Sequence, residues 1–193
     1  MNLNIKSNYE KYHSKIENNS EIKKKGVREL DTIVKLSKYF FSESNFVSNL
    51  DNSNKSQIRL MDIGCGNRYL RYGCEKFNIS YEGIDYSDCN LEKDKIPKED
   101  NKYDLVISLA LIEHLRDPSN FLNESYRILK PGGIFFISTP NWQYSFRDFF
   151  NDPTHIHPYT PISLEQVLEF SNFKNVKIVP NLRCKSKGAY QGI

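Results

Sequence analysis

Cysteine is scarce in this chain of 193 residues: Cys65, Cys74, Cys89 and Cys184 are the four, and no two form a C-x-x-C pair. That scatter excludes a zinc ribbon or a disulfide framework and leaves reduced thiols as the expected state. Long apolar runs are missing as well. No stretch approaches the ~18 consecutive apolar residues that a membrane span needs, so no span is expected. The N-terminus, MNLNIKSNYEKYH, has basic residues without an apolar block behind them, which argues against a secretory leader and for the cytoplasm. A uniform excess of positive charge is also lacking. Lys and Arg outnumber Asp and Glu by 11 to 7 over residues 1–60 and by 5 to 0 over 171–193, but are outnumbered 11 to 17 over 61–170. An acidic centre is a poor footprint for nucleic acid, whose affinity rests on clustered phosphate neutralisation, so no nucleic-acid partner is expected.

What is present reads as one principal unit with an extension. Residues 8–41 carry apolar side chains at helical spacing, Ile22, Leu30, Ile33, Val34, Leu36, Tyr39 and Phe40, with Gly26 as a local weakness. SESNFVSNLDNSNKSQ follows as a linker, which divides the chain into a helical segment and linker at 1–56 and a core at 57–193. In the core, strand-like runs at 58–64, 81–87, 103–110 and 132–140 alternate with helix candidates at about 68–77, 112–116 and 118–129. Alternation at this spacing predicts an α/β fold with a doubly wound, mainly parallel sheet covered by helices on both faces. Ligands in such folds bind beyond the carboxyl ends of the strands. Those ends here read GCGN, DYSD, SLALIEH and TPNW.

The first of these, in MDIGCGNRYL, lacks part of a nucleotide signature. Tyr69 stands where G-x-G-x-x-G has its third glycine, and no Gly-Lys-Ser/Thr follows. Gly64 and Gly66 still allow a sharp bend and close backbone approach to a ligand. Asp62 before the turn disfavours phosphate and suits a cation or amino group. Asp85 ends the next strand, 19 residues after Gly66, where a carboxylate can accept hydrogen bonds from ribose hydroxyls.

LMDIGCGN, YEGIDYS, KYDLVISLALIEHLRDP and RILKPGGIFFISTPN, in this order, resemble the successive motifs of class I S-adenosylmethionine-dependent methyltransferases, in particular the type 11 family of small-molecule enzymes. The resemblance covers about 58–180. It implies S-adenosylmethionine as cofactor, with Asp62, Gly64, Cys65 and Gly66 on its methionine half, Asp85 on the ribose and Tyr86 against the adenine. Asn90 and Leu91 would lie by the adenine amino group, and Leu109 and Ala110 would border the sulfonium. Many relatives have glycine at the position of Arg68. The Arg68 side chain is therefore expected to leave the cofactor path, and Arg68→Gly to leave affinity little changed.

A base is needed when the methyl acceptor is a hydroxyl that must lose its proton. The candidates are His114, beside Glu113 in ALIEHLRDP, and His155 and His157 in DPTHIHPYTP. Quinone-biosynthesis relatives bind a divalent metal through an acidic residue three positions before the Glu-His pair; Ala110 stands there, so no metal is expected. The long aromatic segment NWQYSFRDFFNDPTHIHPYTP follows GGIFFISTP, where methyltransferases place substrate contacts. Related sequences of sugar or cell-surface polysaccharide modification share a D-x-T-H-x-x-x-x-T stretch, which turns the expectation toward a small-molecule or sugar-linked hydroxyl. Residues 8–41 would cover the cofactor or frame the acceptor pocket. After the helix SLEQVLEFSNF, NVKIVP is expected to add a strand, and the basic tail NLRCKSKGAYQGI closes the chain. The alternative is a catalytically silent methyltransferase-like binding domain.

Overall fold

The computed structural model describes residues 20–50 and 57–179. Residues 8–19 of the expected N-terminal helix, residues 51–56 of the expected linker and the basic tail lie outside them. The chain enters through helix α1 (Ser20–Phe40) and a short helix α2 (Asn45–Leu50), the second of which occupies part of the expected linker. Strand β1 (Arg59–Ile63) leads through a turn into α3 (Arg71–Lys76) and β2 (Ser80–Ile84). Strand β3 (Tyr103–Leu109), a 3-10 turn at Ile112–His114, α4 (Ser119–Ile128) and β4 (Leu129–Ser138) complete the sheet. The short helix α5 (Trp142–Ser145), a second 3-10 turn at Phe149–Asn151 and α6 (Pro161–Phe170) follow.

All four strands are parallel, in the order β2-β1-β3-β4. The chain moves outward from β1 to β2 and then crosses back to β3, so the strand order reverses beside β1. Successive residues of a strand point to opposite faces, and both faces here are buried. Leu60, Leu105, Ile107 and Ile134 pack with Leu30, Ile33, Val34 and Phe46 from the N-terminal helices. Met61, Ile63 and Val106 pack on the other face with Phe121, Leu122, Leu164 and Leu168 from α4 and α6. This is the expected doubly wound arrangement.

Gly26 has a role that helical spacing does not reveal. A Cβ there would stand 2.0 Å from the Tyr69 carbonyl oxygen, and one on Gly73 of α3 would stand 2.7 Å from both the Gly26 carbonyl oxygen and Leu30 Cβ. The two helices therefore cross with their backbones nearly touching, and α1 presses on the turn after β1.

Three expectations change. The helix over 68–77 shrinks to Arg71–Lys76, because Arg68 adopts a left-handed backbone (φ +57) that interrupts a right-handed helix. The 112–116 candidate is a single 3-10 turn. Residues 175–179 of NVKIVP form no strand; Phe173 is buried in the second cluster, and Val176 and Ile178 pack against it as irregular chain. No helix among the described residues is long and apolar enough to cross a membrane.

Candidate functional site

The turn after β1 is built by backbone geometry. Gly64 (φ +76) and Gly66 (φ +47) both take conformations that strain residues with a Cβ. The N–H groups of Gly64 and Cys65 both donate to the Ile84 carbonyl, at 2.9 and 3.1 Å, which ties the turn to the end of β2. Gly66 is exposed, and a Cβ placed on it would find no atom within 4 Å. The backbone is thus open to a ligand at this point.

Asp85 follows β2 directly. Its Oδ2 accepts the Gly66 N–H at 2.6 Å and its Oδ1 accepts the Tyr86 N–H at 2.7 Å. Each carboxylate oxygen has a second lone pair, so this half-buried group can still receive two hydroxyls. Tyr86 is 47% exposed beside it. Asn90 lies further along the same loop, its Oδ1 accepting the Glu92 N–H at 3.1 Å. Leu91, in contrast, is buried in the core with Ile63 and Ile84. Leu109 is half-buried at the end of β3, against the cluster beneath the N-terminal helices.

Asp62 is buried within β1 and accepts the Tyr81 hydroxyl at 2.9 Å. Burial pushes its carboxyl up to about 7 against the opposing pull of that hydrogen bond, and the nearby Asp85 adds to the rise. Asp62 is therefore not a full negative charge at neutral pH. The Cys65 thiol, buried next to this carboxyl, is pushed up to about 12, mainly by loss of solvation. It serves as a packing side chain.

The segment after β3 supplies a second group of polar residues. Leu111 leans on Gly64, its side-chain carbons 3.1 Å from where a Cβ would stand, so this segment is contiguous with the turn. Glu113 is fully buried and accepts the Thr139 hydroxyl from the end of β4 at 2.9 Å. Its backbone carbonyl accepts the N–H groups of Ile156 and His157, at 2.9 and 3.0 Å, and so fastens the loop after α5 to this point.

That fastening brings His155 over His114, with ring centroids 4.7 Å apart. His114 Nδ1 lies 3.1 Å from the Thr154 carbonyl oxygen and 2.9 Å from its hydroxyl. The hydroxyl gives its own hydrogen to Asp152 Oδ1 at 2.5 Å, so His114 is the donor at Nδ1 and its lone pair resides on Nε2. Burial holds the imidazole below its ordinary pKa, with His155 adding to the fall, while the Thr154 bond and Asp152 oppose it. His155 Nδ1 likewise donates to the Phe149 carbonyl, at 2.7 Å. His157 turns away, exposed, with its ring 5.2 Å from that of Tyr159.

Of the three candidate histidines, the structure therefore brings two together. One ligand atom from each of Glu113, His114 and His155 lies within 4.8 Å of the others, a donor set that can receive a cation. Sequence reading looked for a metal at the acidic position now held by Ala110 or at the His155 and His157 pair, and missed this set because its third member, His155, comes from a loop 41 residues after His114. It also missed Thr139 and Thr154. The compact D-P-T-H pattern was the available signal for the latter.

A family of methyltransferase domains matches residues 35–178. A protein of Mycolicibacterium smegmatis named as a probable S-adenosylmethionine-dependent methyltransferase is 35% identical over 97 residues, covering 49% of this chain and 37% of that protein. A ubiquinone biosynthesis O-methyltransferase of Pelagibacter ubique is 33% identical over 102 residues, covering 44% of this chain and 42% of that protein. The chain thus spans well under half the length of these relatives. A crystal structure of an S-adenosylmethionine-dependent methyltransferase from Archaeoglobus fulgidus superposes with a TM-score of 0.52 at 25% identity, covering 76% of this chain and 70% of that one.

Proposed function

The chain belongs to the class I S-adenosylmethionine-dependent methyltransferase family, and from that premise we propose that it methylates a hydroxyl of a small-molecule acceptor, with a sugar-linked hydroxyl as the narrower assignment. One juxtaposition carries the reading: a turn open at Gly66 with the Asp85 carboxylate beside it, joined through Leu111 to the Glu113, His114 and His155 cluster. The first half fits S-adenosylmethionine, which has no phosphate and needs close backbone approach and a ribose acceptor rather than a basic cradle. Gly64 and Gly66 would pass along its methionine half, and Asp85 would take the ribose hydroxyls. When bound, it supplies an electrophilic methyl group on a sulfonium.

The chain's own residues then bind, orient and deprotonate the acceptor. His114 is the proton acceptor, its Nδ1–H held by Thr154 and its Nε2 carrying the lone pair. Asp152, reached through the Thr154 hydroxyl, stabilises the imidazolium that forms. His155 and Glu113 shape the wall around it, and the rings of Tyr144, Phe146 and Phe150, exposed by 74, 51 and 59%, offer faces on which an acceptor can stack. The O-methylation in the names of the quinone relatives supports a hydroxyl acceptor.

The test is transfer of labelled methyl from S-adenosylmethionine to a panel of hydroxyl acceptors that includes phenols and nucleotide-linked sugars. One or more should be labelled, and His114→Asn should lower kcat by about 10²–10⁴ without weakening S-adenosylhomocysteine binding. Tight cofactor binding with no labelled acceptor would support the catalytically silent alternative.

A further inference from the structure

Arg68 occupies a backbone conformation suited to glycine, and its side chain folds away from the open edge of the turn at Gly66. Nη1 donates to the Gly83 carbonyl at 2.9 Å, and Nη2 lies 3.6 Å from Asp88 Oδ2. The second contact is a half-exposed ion pair and is weak by itself; the first is a charge-assisted bond to the penultimate residue of β2.

Asp88 Oδ2 also accepts the Asp85 N–H at 2.8 Å, and Asp85 Oδ2 accepts the Gly66 N–H. These bonds close a ring. Residues 66 and 68 of the first turn hold Gly83 of β2 and residues 85 and 88 of the loop after it, and Arg68 makes the two links, to Gly83 and Asp88, that glycine would lose. These links cross-brace the loop that carries Asp85 without touching Asp85 itself.

We propose that Arg68 is a positioning residue that fixes the Asp85 carboxylate for the ribose hydroxyls, so that its guanidinium sharpens recognition of the ribose in particular. The inference rests on the reading of the turn as an S-adenosylmethionine site. It revises the expectation that glycine at position 68 leaves affinity unchanged.

Titration calorimetry tests it with three ligands: S-adenosylhomocysteine, its 2′-deoxy counterpart, and 5′-methylthioadenosine, which keeps the ribose and lacks the amino acid. Arg68→Gly suits the φ of +57, so the variant should fold with an unaltered melting curve. It should bind S-adenosylhomocysteine about tenfold more weakly and lose most of the wild-type preference over the 2′-deoxy ligand. Arg68→Lys should fall between the two, because an ammonium keeps the charge but not the forked geometry.

Equal weakening toward all three ligands would overturn the proposal, since a merely structural effect moves them together. Loss confined to the ligands that carry the amino acid would also overturn it, because Arg68 would then be a direct partner of their carboxylate. If wild-type protein binds none of the three, the cofactor reading itself fails.

Discussion

Asp62 makes the sharpest residue-scale prediction, because a carboxyl held near 7 inside the fold is ionised with a pKa near 4 in the unfolded chain. Below pH 4 both states hold the proton and the group is neutral to stability. Between about pH 4 and 7 the unfolded state gives up its proton first, so the folded state binds more protons and stability falls as pH rises. Asp62→Asn keeps an acceptor for the Tyr81 hydroxyl and removes this penalty. The variant should be more stable than wild type by about 2–4 kcal/mol at pH 8, with little difference at pH 4, measured by urea unfolding at both values. A bound sulfonium or ammonium would pull the proton off Asp62. Cofactor binding should therefore release protons near pH 6.5, read from calorimetry in buffers of different ionisation enthalpy.

Thiol reactivity belongs to the same scale. Cys65 and Cys74 are buried and both pushed up to about 12, chiefly by burial, whereas Cys89 is half-buried and also raised. Thiolate fraction and access together govern alkylation. Iodoacetamide at pH 8 should label Cys89 well before Cys65 or Cys74, with peptide mapping giving each site separately.

At the scale of elements, the crossing of α1 and α3 is the most exacting feature. Alanine ordinarily favours a helix by about 1 kcal/mol over glycine. At Gly26 that gain is opposed by a methyl placed 2.0 Å from the Tyr69 carbonyl oxygen, a backbone atom that can move only with the turn. Gly26→Ala should cost about 1–3 kcal/mol net in chemical denaturation and should weaken cofactor binding as well, because Tyr69 follows Arg68 directly.

Elements also show what the sequence conveys and where it falls short. The runs LVI (105–107) and IFFI (134–137) are apolar at every position because both faces of a parallel sheet are covered, and that signal led to β3 and β4. The motif residues at the ends of β1 to β3 were legible for the same reason: glycine, carboxylate and the Glu-His pair interrupt otherwise apolar runs. The alternation of Val176 and Ile178 was equally clear as a pattern but did not specify a strand. Packing against the cluster that contains Phe173 partly buries the same side chains without a ladder partner among the described residues. Gly26 looked like a defect because periodicity reports which side of a helix is apolar, not how near the neighbouring backbone comes. The meeting of His114 with His155 depends on two backbone bonds to one carbonyl, and backbone bonding carries no side-chain signature.

At the scale of the whole molecule, that carbonyl joins two regions with separate duties. Glu113 holds Thr139 through its side chain and the His155 loop through its backbone. Glu113→Ala leaves the turn at Gly66 untouched while removing the bond to Thr139 and opening a fully buried space. Limited proteolysis should then cut faster within residues 146–158, S-adenosylhomocysteine should bind as before, and methyl transfer should be lost. Retained transfer with an unloosened loop would show that the carboxylate is dispensable.

The same anchorage has a consequence for how such an enzyme can change its customers. The exposed rings of Tyr144 and Phe146 lie upstream of the tether, and the buried Phe149, whose carbonyl accepts the His155 Nδ1–H, lies between them and Thr154, so on the proposed reading the acceptor contacts and the proton-handling residues are separable along one loop. Grafting another aromatic sequence between Asn141 and Asp148, with Phe149 kept as the partner of His155, should on that reading change the acceptor while leaving His114 in register.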